Sequence, residues 1–409
     1  MKRVVLICVI MLFMLGGCSN TVDGGTDSSF IEKTTSESYG VVTEDDEEER
    51  FIGSWLTYIE MQVTYDKRQE EVYRTYIEDI FENLSDIGVN NVFVHARPFA
   101  DALYESEINV SSAYAAPGQG EEMYFDCFSV AVETAKKYNM KVHGWINPYR
   151  VSNSDDYDAL CDENAAKKWW QEKSTDVCTV NGKIYFNPAS SAVRELLLST
   201  IEELMEKYEL DGIHIDDYFY PEDCGNFDSE DYEKYRQSGG KLSLQDFRRE
   251  NVNAMVSSIY SKVKSYGEDK IFSVSPEAKI EKNRSEKYAD VALWCKEDGY
   301  IDMIIPQIYY GFENETMPFE NCLEEWKNIC TNENVKLVPG LALYKSGQTD
   351  DFAGETGKDE WINYNDVIKR QVICLEDADC SGFSLYSSSY VNFNETFLGA
   401  QLNELKSVL

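Results

Sequence analysis

Residues 211–218 read DGIHIDDY, an apolar run that ends in two consecutive acids. Successive side chains of a β-strand point to opposite faces. We therefore expect Ile213 and Ile215 to pack against helices on one side of this strand. His214 and Asp216 would lie on the other face and point into the mouth of a barrel.

Runs of this kind occur eight times after residue 50, and helical patterns separate them. The predicted strands are Gly53–Thr57, Asn91–Ala96, Lys141–Asn147, Asp211–Tyr218, Ile271–Glu277, Ile301–Tyr309, Lys336–Tyr344 and Gly382–Ser388. The clearest helical patterns cover residues 69–86, 125–138, 191–208 and 245–265. Such alternation predicts an α/β fold, a single (β/α)8 TIM-type barrel over residues 51–409. A doubly wound sheet is the alternative, but no glycine-rich phosphate turn follows the first strand.

The connections between these elements differ in length. Links from helix to strand are short, whereas several links from strand to helix are long: about 97–124, 148–163, 219–244 and 345–362. In barrels of this type the active site is built from the loops that follow the strands. The long loops therefore predict a functional site at the carboxyl ends of the strands.

The first 50 residues differ from the rest in composition. Residues 1–17 have a basic start, an apolar run of 12 residues and two glycines, and Cys18 follows. The run is shorter than the roughly 20 residues that span a bilayer. This order resembles a bacterial lipoprotein signal, which implies cleavage before Cys18 and lipidation of its thiol. An ordinary secretory signal is the alternative.

Residues 18–50 are rich in Ser, Thr, Gly, Asp and Glu and show no periodicity, which predicts a disordered acidic linker. The barrel would then sit outside the cytoplasm as a membrane-anchored bacterial lipoprotein. The net charge of −36 makes nucleic acid an improbable partner, because phosphate binding needs a basic patch. A hydrophobic content of 43% is sufficient for a substantial core.

Three acids near the predicted strand ends are candidate catalytic residues. Glycoside hydrolysis normally uses two carboxyl groups, one as proton donor and one as base or nucleophile. Asp216 and Asp217 end the fourth strand, and Glu277 ends the fifth. Each could instead form a structural ion pair or cap a loop. Glu60 and Asp101 are further acids after the first two strands.

The chain has only three histidines, His95, His143 and His214, and they fall on three consecutive predicted strands. A metal site with Asp216 as fourth ligand is conceivable. No His-x-His or His-x-x-x-His pair exists, however, so hydrogen bonding to a substrate or within a polar network is the favoured role. We predict no metal and no cofactor.

Polar and aromatic residues crowd the same predicted end of the barrel, as in a cleft that binds sugar rings and hydroxyls. With the three histidines, the predicted substrate-binding residues are Arg97, Asp101, Trp145, Asn147, Arg150, Asn187, Tyr218, Gln307 and Tyr309. Arg97 and Arg150 stand out as positive charges in an acidic chain. They could keep Asp216 ionised or bind an acidic substrate group such as a lactyl carboxylate.

These motifs together resemble the glycosyl-hydrolase-like 10 family. The matching stretches are VHARPFADALY at Val94–Tyr104, HGWINPYRV at His143–Val151, YFNP at Tyr185–Pro188, DGIHIDDYFYP at Asp211–Pro221, FRRENVN at Phe247–Asn253, PQIYYGF at Pro306–Phe312 and GLALYK at Gly340–Lys345. The resemblance implies a barrel related to α-glucanase-type hydrolases, with Asp216 as nucleophile, whereas Glu277 as the acid is suggested by this sequence more than by the family. Family members usually carry a non-acidic residue at position 277, so Asp217 competes for that role.

The leading hypothesis is a lipid-anchored glycoside hydrolase of a cell-envelope or extracellular polysaccharide. The resemblance suggests peptidoglycan strands without stem peptides as one substrate. A non-catalytic glycan-binding lipoprotein on the same barrel is the alternative, and metal-dependent hydrolase chemistry at the three histidines is a third hypothesis.

Overall fold

The computed structural model describes residues 49–409, which form an α/β fold around a curled parallel sheet. The predicted signal peptide, Cys18 and nearly all of the predicted linker lie outside the described residues. The strands are β1 Phe51–Leu56, β2 Asn91–Arg97, β3 Lys141–Ile146, β4 Arg150–Ser152, β5 Val177–Val180, β6 Lys183–Phe186, β7 Gly212–Ile215, β8 Ile271–Val274, β9 Met303–Ile304, β10 Lys336–Leu337, β11 Gly340–Leu341 and β12 Gly382–Leu385.

Nine of these strands form the main sheet in the order β10-β9-β8-β7-β3-β2-β1-β12-β11, with all neighbours parallel. Its two end strands, β10 and β11, are separated only by Val338 and Pro339. Val338 donates its N–H to Ile304 O at 3.0 Å, and Ser384 donates its N–H to Pro339 O at 3.0 Å. Proline has no N–H for the ladder, which interrupts the strand here. Both ends of the curled sheet therefore meet in one short segment.

All eight predicted strands are present, and the helices connect them. The helices are α1 Glu70–Asp86, α2 Cys127–Lys137, α3 Ala165–Gln171, α4 Ser191–Lys207, α5 Ser229–Gln237, α6 Leu244–Lys264, α7 Ile280–Ser285, α8 Val291–Trp294, α9 Phe319–Ile329, α10 Gly354–Gly357, α11 Glu360–Asn363, α12 Val367–Asp377 and α13 Thr396–Lys406. The four clearest helical patterns correspond to α1, α2, α4 and α6. Within the described residues, no helix is long and apolar enough to cross a membrane.

Polar caps explain where three of these helices begin. The side chains of Asp126, Ser190 and Ser243 accept hydrogen bonds from backbone N–H groups in the first turns of α2, α4 and α6. Such caps satisfy amide groups that have no partner inside the helix. The short polar residue before each apolar pattern therefore marks the helix start.

The two faces of β7 pack as the alternation predicts. Ile213 and Ile215 are fully buried in the large core that also contains the apolar faces of the helices. His214 points to the other face, where its ring lies 4.3 Å from the ring of Phe93. Gly212 permits close packing there, since a Cβ at this position would lie 2.7 Å from Nδ1 of His143. A smaller apolar cluster fills the inside of the sheet: Phe51, Trp55, Phe93, Trp145, Met303, Ile305 and Val338.

The region between β3 and α4 contains structure that the sequence patterns did not predict. Strands β4, β6 and β5 form a separate antiparallel sheet, and α3 precedes it. Asn181 and Gly182 turn the β5–β6 hairpin with φ of 48° and 72°. Positive φ at both turn residues is typical of Asn-Gly hairpins.

The loop after β7 contains α5 and is held by a buried ion pair. Arg248 on α6 donates to both carboxylate oxygens of Asp228, at 2.6 and 2.8 Å, and to the Tyr288 hydroxyl at 2.9 Å. Its guanidinium also donates to Gly225 O at 2.6 Å. A buried charge is tolerated only when it is paired and hydrogen-bonded, so these contacts tie the loop to the body of the fold.

Candidate active site

Asp216 lies directly after β7 and is buried, with 3% of its surface exposed. Its Oδ2 accepts hydrogen bonds from Trp145 Nε1 at 3.2 Å and from Asn147 Nδ2 at 3.3 Å. Its Oδ1 accepts only a long bond from the Tyr218 N–H at 3.5 Å. One oxygen is therefore held by two donors, and the other is nearly free of protein contacts.

The environment of Asp216 favours its protonated form. Burial and the charge of neighbouring Asp217 raise its pKa to about 7, against the smaller opposing effect of Arg150. Two adjacent carboxyl groups, one buried and one half-buried, cannot both ionise easily, so they titrate together. Near neutral pH the pair is expected to hold about one proton.

Asp217 is half-buried and has a different set of neighbours. Burial raises its pKa, and the charge of Glu277 adds to this effect, whereas the charge of Lys287 and a hydrogen bond from Gln307 oppose it. A cation and an amide donor both favour a carboxylate. Asp216 also has a cation, Arg150, and two N–H donors, so the two acids differ chiefly in burial. Asp217 is the more exposed of the two, which makes it the better suited to carry the negative charge of the pair.

Glu277 does not face the cleft as a free acid. Its carboxylate lies 3.0 Å from Nζ of Lys282 and 3.5 Å from Nζ of Lys287. Both lysines also pair with Glu222, at 2.7 and 3.2 Å. This network of four charges joins the loops after β7 and β8. A carboxylate paired with two ammonium groups is poorly placed to donate a proton, which argues against the predicted role of Glu277 as general acid.

The other acids near strand ends also have structural partners. Glu60 is buried and accepts hydrogen bonds from the Thr57 N–H at 2.9 Å, the Ser387 hydroxyl at 2.9 Å and the Ser389 N–H at 3.1 Å. Asp101 is buried and accepts a hydrogen bond from Gln119 at 2.8 Å. These acids join loops, which leaves Asp216 and Asp217 as the carboxyl pair best placed for chemistry.

The two predicted arginines take different positions. Arg97 is completely buried and donates to Asn147 O at 2.7 Å and to Asn109 Oδ1 at 3.2 Å. It therefore supports Asn147, whose side chain bonds Asp216. Arg150 lies between two aromatic rings, with Cζ 4.0 Å from the ring centre of Tyr218 and 4.5 Å from that of Phe99. Arg150 rather than Arg97 supplies positive charge at the acid pair.

His95 is the histidine that belongs to the site. Its ring stacks on Trp145 with 3.6 Å between ring centres, and it meets Tyr58 edge-on at 5.6 Å. Both ring nitrogens are buried and have no hydrogen-bond partner among the residues that the structure describes. Burial and the charge of Arg150 hold the pKa of His95 well below its usual range. The ring is therefore neutral, and with 1% of its surface exposed it forms part of the buried wall behind Trp145.

His214 does not line the cleft, contrary to expectation, because it is fully buried inside the sheet. Trp55 Nε1 donates to its Nε2 at 3.1 Å, and its Nδ1 lies 2.8 Å from the Ser273 hydroxyl. The Trp55 bond makes Nε2 an acceptor, so Nδ1 carries the proton. Burial holds its pKa well below the usual range, so the ring is neutral. These contacts make His214 a packing residue of the sheet interior.

His143 lies in the same interior, where Nε2 is 3.0 Å from Asn91 Oδ1 and burial lowers its pKa to about 3. The ring of Phe93 lies between His143 and His214, at 5.2 and 4.3 Å. The three imidazoles therefore do not converge on one point. In residues 49–409, no group of three His, Cys, Asp or Glu side chains is arranged to hold a metal ion.

Of three further predicted residues, one stabilises a loop and two lie beside the acid pair. Asn187 is fully buried and donates to Thr175 O and to Asp231 Oδ2, both at 2.9 Å, so it stabilises a loop. Gln307 donates to Ser275 O at 3.0 Å and to the carboxylate of Asp217. Tyr309 is half-buried beside the acid pair, and the charge of Asp217 contributes, after burial, to its strongly raised pKa.

Tyr58 and Lys287, which border the acid pair, were not selected from the sequence, and Tyr386 was not among the predicted substrate-binding residues. Tyr386 follows β12, and the charges of Glu60 and Asp216 contribute, after burial, to its raised pKa. Tyr58 packs on His95, and Lys287 approaches Asp217. Tyr58 comes just after a predicted strand and Tyr386 lies near the end of one, which is the signal that could have found them. No local pattern marks Lys287, because it reaches the site from a loop ten residues beyond Glu277.

Two acids at the carboxyl edge of a curled parallel sheet, bordered by aromatic rings, lie where the active sites of barrel enzymes are found. The chain belongs to the family described as Glycosyl hydrolase-like 10, whose model matches residues 50–355. The family expected from the sequence motifs is thereby confirmed.

Two curated relatives carry hydrolase names. "Glycosyl hydrolase YngK" of Bacillus subtilis (strain 168) is 30% identical over 300 residues, which are 68% of this chain and 56% of that protein. This chain thus spans little more than half the length of that relative. "Glycosyl hydrolase DigH" of Escherichia coli (strain K12) is 28% identical over 369 residues, which are 84% of this chain and 82% of that protein.

Solved structures share the fold at low sequence identity. The PgaB (BpsB) glycoside hydrolase domain from Bordetella bronchiseptica has a TM-score of 0.60 and 12% identity, covering 87% of this chain and 98% of that one. The catalytic domain of a beta-amylase from Paenibacillus polymyxa has a TM-score of 0.55 and 10% identity, covering 88% and 98%. At these identities the likeness concerns the fold alone.

Proposed function

We propose that this protein is a (β/α)8-barrel glycoside hydrolase that cleaves a cell-envelope or extracellular polysaccharide. The observation that carries the proposal is the pair Asp216–Asp217, two adjacent carboxyl groups in an aromatic cleft, where the pKa of Asp216 is raised to about 7. Titratable groups displaced towards neutral pH are concentrated at catalytic sites. The membership of a glycosyl hydrolase-like family supports the same class of reaction.

The contacts of the pair suggest how its two roles are divided. Oδ2 of Asp216 is occupied by two N–H donors, so we assign the shared proton to the freer Oδ1. Asp216 would then protonate the leaving glycosidic oxygen. Asp217, beside Lys287 and Gln307, would act as the carboxylate that activates water or attacks the anomeric carbon. This division is the reverse of the one that the family resemblance implied.

Neighbouring residues would position the pair and the sugar. Asn147, held by Arg97, and Trp145 orient Asp216 through their N–H groups. His95, which is 1% exposed, would hold the Trp145 ring in place by stacking on it. Aromatic faces such as that of Tyr218 suit the C–H faces of sugar rings.

The substrate proposed for the first test is peptidoglycan from which the stem peptides have been removed. The purified protein would be incubated with these glycan strands and, in parallel, with α-glucans, and the products would be identified by mass. We expect new reducing ends from the peptide-free strands and none from the Asp216→Asn variant. Binding of glycan without new reducing ends from any substrate would favour the non-catalytic alternative.

We further propose that the protein is anchored to the membrane through a lipid on Cys18. The sequence order of basic start, apolar run, two glycines and cysteine supports this location. The matched comparison is the wild type against Cys18→Ser, each followed by membrane fractionation and intact-protein mass. Wild type in the membrane fraction with an added lipid mass, and the variant without that mass, is the expected result. A wild type that lacks the lipid mass would contradict the anchor.

A further inference from the structure

We infer that the cleft binds sugar residues on both sides of the acid pair, so that the enzyme cleaves within a glycan chain rather than from its end. This inference rests on the proposed hydrolase function. It depends on two groups of side chains near Asp216 and Asp217 that offer aromatic faces and polar groups to a glycan.

The first group lines a cavity beside Asp217. Tyr185, Tyr218 and Lys287 border this space of about 240 Å³, together with the tip of the β5–β6 hairpin and the loop after β7. Tyr218 follows Asp217 in the chain, and the charge of Lys287 acts on the Asp217 carboxyl. Ligand sites for larger molecules occupy roughly 300–1,000 Å³, so this cavity suits a single sugar residue.

The second group consists of three half-buried tyrosines, Tyr309, Tyr344 and Tyr386, which we call the tyrosine cluster. Their ring centres lie 5.7 to 6.1 Å apart. None of their hydroxyls has a hydrogen-bond partner within residues 49–409. The charge of Asp216 contributes to the raised pKa of Tyr386, and the charge of Asp217 to that of Tyr309. The cluster is therefore within electrostatic range of the acid pair.

The sheet order separates these two groups. The acid pair follows β7, and Tyr386 follows β12, which is four strand positions from β7 along the order β7-β3-β2-β1-β12. The other two tyrosines follow β9 and β11, whereas the cavity is built from the hairpin before β7 and the loops after β7 and β8. The cavity and the tyrosine cluster therefore lie at different parts of the mouth of the curled sheet. The acid pair is within electrostatic range of both, through Lys287 on one side and through Tyr309 and Tyr386 on the other.

The aromatic faces and free hydroxyls on both sides of the acid pair favour cleavage within a chain over cleavage from its end. An enzyme that trims chain ends needs a wall that stops the chain just beyond the reacting bond. Here the space on either side offers ring faces for stacking and polar groups for sugar hydroxyls. A glycan could thus extend from the cavity across Asp216 and Asp217 to the tyrosine cluster.

The product pattern of the wild type tests this inference without any variant. Peptide-free glycan strands labelled at the reducing end would be digested briefly and separated by size. We expect fragments of intermediate length to appear first, before monosaccharides and disaccharides. Release of only mono- or disaccharides from one end would overturn the inference while leaving the hydrolase function intact. Absence of any cleavage would overturn the proposed function and, with it, this inference.

Two variants test the two sides separately. Tyr344→Ala and Tyr185→Ala should each raise KM for long chains by roughly 2- to 13-fold, the size expected for losing one aromatic contact. KM for the shortest cleaved oligosaccharide should change less. The matched controls Tyr344→Phe and Tyr185→Phe keep the ring and should retain most of the affinity. Equal KM effects on long and short substrates would contradict an extended cleft.

Discussion

Nε1 of Trp145 donates a hydrogen bond to Oδ2 of Asp216 across 3.2 Å. The same indole ring stacks on His95, with 3.6 Å between ring centres and 12° between ring planes. The stack prevents rotation of the indole, so its N–H stays directed at the carboxyl group. Trp145 therefore links a buried, neutral histidine with the acid to which we assign the proton.

Replacement of Trp145 by Phe should raise the pKa of Asp216 further. The change removes one donor to the carboxylate and retains a ring that can stack, so the ionised form loses stabilisation. Because activity requires protonated Asp216, the alkaline limb of the kcat/KM profile should move to higher pH. The profile should be compared with that of the wild type on the same glycan. A limb that moves to lower pH would contradict this role.

Asp216→Asn and Asp217→Asn should separate the two proposed roles. Removal of a general acid typically costs 10²–10⁴-fold in rate, so Asp216→Asn should lose glycan cleavage to about this extent. Glycosides with a 2,4-dinitrophenyl leaving group need little protonation, and Asp216→Asn should retain much of its activity on them. Asp217→Asn should lose activity on both substrates. The reverse pattern would assign the acid to Asp217.

The pH dependence of stability should reveal the buried proton of Asp216. Its pKa rises from 3.8 to about 7 on folding, so the folded state binds a proton more tightly than the unfolded state. Stability is therefore lost as pH rises between these two values. Asp216→Asn removes this loss and should have a higher Tm than the wild type at pH 8, with a smaller difference at pH 5. Thermal unfolding at both pH values measures the effect, and an equal or lower Tm at pH 8 would argue against a buried shared proton.

Glu277→Gln should retain glycan cleavage within about tenfold of the wild type, well short of the roughly 10²–10⁴-fold loss that removal of a general acid produces. Its carboxylate is paired with Lys282 and Lys287, so its loss disturbs the charges around Asp217 without removing a reacting group. Initial rates on the same glycan, measured beside Asp216→Asn, provide the comparison. A loss as large as that of Asp216→Asn would restore Glu277 as the general acid.

His214→Ala should reduce stability and leave KM of the folded variant close to that of the wild type. The substitution leaves the buried Trp55 N–H without its acceptor, which typically costs about 1–3 kcal/mol in addition to the cavity that forms. Denaturant unfolding and kinetics at a temperature where the variant is folded would measure the two quantities. A large rise in KM without loss of stability would place His214 in contact with substrate.

Local sequence patterns predicted a large part of the fold for a clear reason. Strand alternation depends only on neighbouring residues, so Ile213 and Ile215 could be assigned to the helix side of β7 before any contact was known. Helix starts such as Ser190 and Ser243 are also determined locally by a cap. The small sheet before α4 was missed because its strands are short and pair only with one another.

The candidate site was predicted less completely, because partners distant in sequence determine what a side chain does. Glu277 is a strand-end acid like Asp216, but Lys282 and Lys287 pair with it. His95 and His214 lie on the second and fourth predicted strands. His214 has hydrogen-bond partners in Trp55 and two serines, whereas His95 has none among the described residues.

By itself, the sequence determined the strand and helix order and the position of two consecutive acids at the end of β7, since these follow from periodicity and chain order. Only the tertiary structure decided which acid is paired with lysine and which is buried beside another carboxyl group. The pKa of a carboxyl group depends on desolvation and on charges within a few ångströms. Those distances arise when loops from β3, β7, β8 and β9 meet, and no local pattern encodes them.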